Sequence, residues 1–302
     1  MVARKRVPYD DLRGYLKLLE DNGMLVRISS EVDLDGELGA IAYRDLVRDG
    51  PALWFDNIKD YPDMPLVANI MYREDQLALA LNGEADWANL RDIIHEGMQD
   101  RTPSNIVETG PVKDVKIIGE DVDLDMLPTP RWHEEDGGRY IGTTAGFVTK
   151  DPLNGNLNMG QYRSMIIDKN TTTVEIMGDW EVGAKPPQAS NYGGVGDRNG
   201  VVHILENEAK GLPTPCAIVL GMDPLLTLSC GTAVPHDENG HGEYEAAGSW
   251  AGRAVDLVKC ETSDLMVPAN AEIILEGEIV PYQRVNDGPH GESTGFYNQH
   301  PS

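Results

Sequence analysis

The sequence predicts an α+β protein in two parts, an N-terminal α/β layer domain over residues 1–115 followed by a strand-rich barrel or sandwich over 116–302. Three observations carry this. At 302 residues the chain suffices for about two domains on a prior of roughly 150 residues each, and each can bury its own core. In the first part, apolar residues at helical spacing alternate with short apolar runs, the signature of helices layered on a sheet. In the second, short strand-like runs are separated by turn-forming residues.

Taken in order, Leu12, Tyr15, Leu16 and Leu19 recur at helical spacing, and Asn22-Gly23 is a stop signal of the left-handed type. Met24 to Ile28 reads as a strand. Leu38, Ile41, Ala42 and Leu46 mark one helix face, Ala52 to Phe55 a short buried strand, and Leu66 to Ile70 a third strand. Trp87, Leu90 and Ile94 mark another helix. No phosphate loop is found here, so this part is read as scaffold or lid. From Val115 onward, strands are expected at Thr144 to Val148, Cys216 to Leu220 and Ala271 to Leu275. Asn154-Gly155, Gly211-Leu212-Pro213 and Gly221-Met222-Asp223-Pro224 separate them as turns. A glycine-rich interval, Gly183 to Gly200, lacks either periodicity and is expected to be a mobile loop.

Fifty acidic against twenty-five basic residues give a net charge of −25. A phosphate backbone or an anionic membrane surface would be repelled, which argues against nucleic-acid and membrane partners. A carboxylate substrate would be repelled too, so a site for one needs a local arginine. Cys216, Cys230 and Cys260 are odd in number and lack CxxC spacing, which disfavours a disulfide frame or structural zinc and fits a reducing cytoplasm. No stretch has the length of a membrane span, and the basic opening residues are not followed by the apolar core of a signal peptide.

Three groupings can carry chemistry. The first is Asn156 to Arg163, leading into a hairpin: Arg163 to Asp168 as a strand, Lys169-Asn170 as the turn, and Thr173 to Met177 as the return. Asn158 and Arg163 are five residues apart and would face opposite ways on a regular strand, so a shared site requires a break, expected at Gly160. The second is His236 to Glu245, leading into a helix expected from Ala246 to Leu257, with Glu243 near its start where the macrodipole favours a carboxylate. The third is Asp287-Gly288-Pro289-His290-Gly291-Glu292, which can fold both carboxylates toward one space. Two acids held close cannot both ionise cheaply, so one of them can deliver a proton near neutrality.

In combination these groupings resemble a known family. Leu127-Pro128-Thr129-Pro130, Asp136-Gly137-Gly138-Arg139-Tyr140-Ile141, Asn158 to Arg163, Glu243-Tyr244-Glu245-Ala246-Ala247-Gly248, Val267 to Gly277 and Asp287 to Tyr297 follow, in order, the pattern of the UbiD-like family of prenylated-FMN-dependent decarboxylases. The resemblance covers essentially the whole chain. It implies a split β-barrel flavin-binding domain beside the N-terminal domain, and reversible non-oxidative decarboxylation of an aromatic, heteroaromatic or α,β-unsaturated acid. It implies Asn158 and Glu243 as ligands of Mn2+ or Mg2+, with room for K+. It further implies Gln161, Tyr162 and Arg163 against the cofactor, and Arg163, Asp287 and Glu292 as the catalytic network with Glu292 as proton donor.

The resemblance implies a flavin prenyltransferase as cofactor source. It also has departures. A histidine-rich segment after the hairpin is replaced by Glu175 to Glu181, leaving Glu181 or His203 to stand in for a metal-site histidine. The first acid of the last motif is Asp287 where relatives carry Glu. The family's C-terminal domain, with its phosphate-binding lysine and most subunit contacts, has no counterpart, which leaves open a fragment, a split-gene subunit or a truncated product; the partners to expect are a further copy in a homo-oligomer or a partner chain supplying that domain. Two further readings stay open: a metal-dependent hydrolase using His236, His241 and Glu243, and a cofactor-binding or assembly subunit.

Overall fold

The computed structural model describes residues 5–176, 200–292 and 294–301. Helix α1 (Leu12–Asp21) starts where the Asp11 side chain accepts from the Gly14 amide at 2.8 Å, and stops at Asn22 before Gly23, whose φ is 69°. Leu12, Tyr15, Leu16 and Leu19 are all buried, as their spacing predicts. β1 (Leu25–Ile28), α2 (Glu37–Leu46) and β2 (Ala52–Phe55) follow, with β1 and β2 parallel, and β3 (Leu66–Ala68) lies antiparallel to β2. Helix α3 (Glu74–Leu81) was not expected from the sequence. Leu77, Ala78, Ala80 and Leu81 are all buried, so it shows no amphipathic stripe. Helix α4 (Trp87–Gln99) closes this part.

The remaining elements are β4 (Asn105–Ile106), β5 (Gly146–Lys150), β6 (Leu157–Gln161), β7 (Ile166–Asp168), β8 (Thr171–Thr172), α5 (Gly200–Glu208) and β9 (Thr214–Leu220). They continue with α6 (Pro224–Cys230), α7 (Glu243–Ala251), β10 (Asp256–Lys259), β11 (Met266–Pro268), β12 (Ile273–Ile279), β13 (Asn286–Gly291) and β14 (Tyr297–Pro301). The main sheet runs β12-β9-β5-β6, all antiparallel, beside a smaller sheet β11-β10-β4 and the pairs β7-β8 and β13-β14. The α+β expectation holds. Closure into a barrel is not seen among the described residues.

Alternation explains the layering. Val148, Ala217 and Val219 point to one face of the main sheet, where α1, α3, α6 and α7 build the principal core around Trp250. Phe147, Cys216 and Ile218 point to the other face and meet Tyr162, Val174 and Leu275. Trp250 is fully buried, donates to Ile94 O at 2.9 Å and leaves space for nothing larger than Gly97 on α4, which locks the N-terminal helices to α7.

Several sequence expectations change. The second part is not strands alone, because α5, α6 and α7 interrupt it. Gly221 to Pro224 is less a strand-to-strand turn than a helix start: the Asp223 side chain accepts from Leu225 N at 2.8 Å and Pro224 opens α6. The helix expected at Ala246 to Leu257 runs instead over Glu243–Ala251, stopped by left-handed Gly252 (φ 64°). Met177, Glu181 and the glycine-rich interval from Gly183 up to the start of α5 lie outside the described residues. Among the described residues no helix is long and apolar enough to cross a membrane.

Candidate active site

Arg163 sits between the two acids of the last motif. Its Nε donates to Asp287 Oδ2 at 2.6 Å and its Nη1 to Glu292 Oε1 at 3.3 Å. The Arg163 side chain is 9% exposed and that of Asp287 is fully buried, so this is an ion pair removed from water. Burial works against the guanidinium charge, but the hydrogen bond and charge of Asp287 outweigh it and hold Arg163 above its ordinary pKa. Asp287 is fixed from its other side by Thr173 Oγ1, at 2.9 Å, and that hydroxyl in turn accepts from Met165 N at 2.8 Å. Nη2 of Arg163 is buried and has no partner among the described residues. A buried cationic donor without an acceptor is costly, and a carboxylate is its natural complement.

The strand that carries Arg163 does not break at Gly160. β6 keeps regular register with β5 through Phe147–Gly160 and Gly146–Gln161, and that ladder ends at Gln161. Beyond it the chain changes partner: Glu175 N donates to Arg163 O at 3.0 Å and Thr173 N to Met165 O at 2.8 Å, extending the β7-β8 hairpin around its Lys169-Asn170 turn. The glycine is needed for another reason. A Cβ on Gly160 would stand 2.3 Å from the Tyr162 ring, which folds back along the strand until its hydroxyl lies 3.5 Å from Asn158 Nδ2. Burial pushes the Tyr162 phenol up to about 12, so it stays protonated. Gln161 is exposed and donates to Thr143 O at 3.3 Å.

Asn158 is buried, and Glu243 is the first residue of α7, where Oε2 accepts from Met159 N at 3.3 Å. β6 and the start of α7 therefore bring two oxygen-bearing side chains to neighbouring backbone positions. Burial pushes the Glu243 carboxyl up to about 7. The preceding loop is held by Arg101, which donates to Gly242 O at 3.1 Å and Pro235 O at 2.9 Å, and by Ser104, which donates to Glu245 at 2.7 Å.

The hydrolase trio is not assembled. His236 donates from Nε2 to Leu157 O at 2.8 Å, and His241 turns Nδ1 toward Asp237 at 3.0 Å. Among the described residues no group of three His, Cys, Asp or Glu side chains is arranged to hold a metal ion. His203 is fully buried with Nδ1 2.8 Å from Thr149 Oγ1. A cleft of about 1420 Å3 opens on the sheet face opposite α6 and α7, and Thr173 and Glu175 lie in its wall.

Sequence reasoning missed Thr173, Arg101 and Asp136, whose buried side chain accepts from Gly291 N at 2.7 Å. Thr173 carries a signal only in retrospect, as a hydroxyl on the strand opposite Met165. The other two act across long sequence separations that no local pattern encodes.

Comparisons with known proteins place the chain by sequence and by fold. The family model of the 3-octaprenyl-4-hydroxybenzoate carboxy-lyase (UbiD) Rift-related domain matches residues 105–302, and that of its N-terminal domain matches 16–96. An uncharacterized protein of Synechocystis, sll0936, is 32% identical over 309 residues, covering 95% of this chain and 57% of that protein. The UbiD-class enzyme HmfF from Pelotomaculum thermopropionicum, in complex with FMN, superposes with a TM-score of 0.81 at 28% identity, over 96% of this chain and 59% of that one. Vanillic acid decarboxylase from Sedimentibacter hydroxybenzoicus, in its closed form, superposes with a TM-score of 0.82 at 30% identity over 96% and 59%. The chain thus spans rather under two thirds of the length of these relatives. By its two matched domains and its fold, the chain belongs to the UbiD carboxy-lyase family.

Proposed function

We propose that this chain carries the cofactor-binding and acid-base part of a prenylated-FMN-dependent decarboxylase acting on an aromatic, heteroaromatic or α,β-unsaturated carboxylic acid, with residues 116–302 as its flavin-binding split barrel. The observation that carries the reading is the buried Arg163, bonded to Asp287 and Glu292 with Nη2 left over.

That donor can take a substrate carboxylate, and Asp287, held by Thr173, keeps the guanidinium aimed. Losing carbon dioxide from an sp² carbon leaves an electron pair that no side chain accommodates; a prenylated flavin supplies that sink when bound. Glu292 then returns a proton to the carbon. Asn158 and Glu243 offer hard oxygen donors of the kind Mn2+ or Mg2+ takes, and a cation there would hold Glu243 ionised. Tyr162, kept neutral and packed over Gly160, gives that end of the strand a fixed wall. Gln161 and Arg163 would lie toward the cofactor.

Because the chain covers 59% of HmfF and of the vanillic acid decarboxylase, the activity is proposed for an assembly containing these residues. The test is co-production with a flavin prenyltransferase, followed by carbon dioxide release from a panel of acids. It is run with the chain alone and with the C-terminal region of a relative added as a second chain. Flavin loading with no release in either arm contradicts the reading.

A further inference from the structure

One buried carboxylate has no part in the chemistry above, yet it holds the segment that does. Asp136 has a fully buried side chain, and its two oxygens each take a backbone N–H: Oδ1 from Gly291 at 2.7 Å and Oδ2 from His133 at 2.9 Å. Gly291 immediately precedes Glu292. The next residue, Gly137, donates its own N–H to Pro289 O at 2.7 Å. Two consecutive residues thus grip the acid turn at two points.

The same segment also grips the arginine strand. Ile141 N donates to Ser164 O at 2.9 Å and Ile166 N to Arg139 O at 2.8 Å, flanking the Tyr140–Met165 bridge. The contacts are close enough to exclude side chains. A Cβ on Gly137 would stand 2.4 Å from Gly288 O, and one on Gly291 would stand 2.4 Å from the His133 ring. Residues 136–141 therefore act as a rigid bracket. One end is bonded to the strand just after Arg163, the other to the turn just before Glu292.

We propose that Asp136 is a positioning residue of the reaction: through the Gly291 amide it sets where Glu292 stands relative to Arg163, without touching substrate. This rests on the decarboxylase reading for its catalytic consequence, and on the bracket geometry alone for its structural one. Asp136→Asn keeps size and shape but has only one oxygen, so its amide group must face one of the two N–H donors and that bond is lost. A displacement of about 1 Å at a catalytic group costs roughly 100-fold in rate.

The experiment combines two readouts on Asp136→Asn in the flavin-loaded full chain, with partner region if the assembly needs it. Amide hydrogen exchange over residues 286–292 should accelerate at least tenfold while α1 and α7 keep their protection. In parallel, kcat should fall about 10- to 100-fold with KM within twofold and flavin content unchanged, a split that general loss of structure would not give. Gly137→Ala displaces the turn from its other contact and should give the same pair of effects, which decides the matter if Asp136→Asn does not fold. Unchanged exchange over 286–292, or unchanged kcat, in the folded variant overturns the proposal. If the parental loaded protein releases no carbon dioxide, the decarboxylase reading fails by itself, and the exchange result alone then decides whether Asp136 holds the turn.

Discussion

Arg163 Nε lies 2.6 Å from Asp287 Oδ2, a contact that spans 124 residues of sequence and is almost wholly withdrawn from water. Withdrawn pairs behave asymmetrically. Together the charges roughly offset their desolvation, whereas one alone is left exposed to the full penalty.

Arg163→Leu should therefore destabilise the fold by about 3–5 kcal/mol, because Asp287 stays buried without its counter-charge. Denaturant unfolding measures this. The double change Arg163→Leu with Asp287→Leu should recover most of the loss while remaining without turnover. No recovery in the double variant would contradict the claim that an unpaired, buried Asp287 is what costs the single variant its stability.

Gly160→Ala tests the packing of Tyr162. The added methyl meets the phenol ring at 2.3 Å in a half-buried setting, so a loss of about 1–3 kcal/mol is expected from overpacking. The phenol should also leave Asn158. A variant as stable as the parent, with the ring unmoved in its structure, would contradict this account of the glycine.

Much of the scaffold was legible because it rests on local periodicity. The α1 stripe of Leu12, Tyr15, Leu16 and Leu19 is buried residue for residue, and the Lys169-Asn170 turn falls where the alternating runs place it. What was not legible is governed by partners distant in sequence. Gly160 reads as a bulge until the Tyr162 ring is seen lying across it, and Asp136 reads as a loop acid until Gly291 arrives from 155 residues away. The three acid and arginine positions of the site are brought together as the motif order suggested, while His236, His241 and Glu243 are not.

Asn158→Ala and Glu243→Gln should each reduce bound divalent metal and flavin together. Elemental analysis and the flavin absorbance band read these out on the same sample. Full flavin content with metal lost would contradict a metal site on which flavin binding depends.

His290 supplies a pH dependence. Burial lowers its pKa below the ordinary 6.5, partly opposed by Asp136, so the folded state holds it neutral. The unfolded chain then binds more protons, and stability rises with pH across the window below 6.5. The contribution is complete above 6.5 and is lost as pH falls from there through the lower folded value. Melting temperatures between pH 7.5 and about 5 should fall less steeply in His290→Gln than in the parent. Identical slopes would remove His290 as the source.

The most direct test of the central claim is carbon dioxide release by the flavin-loaded protein compared with Glu292→Gln, normalised to bound flavin. The assignment of Glu292 as proton donor predicts turnover in the parent and none in Glu292→Gln, with equal flavin and metal content in both. Retained turnover in Glu292→Gln would contradict it.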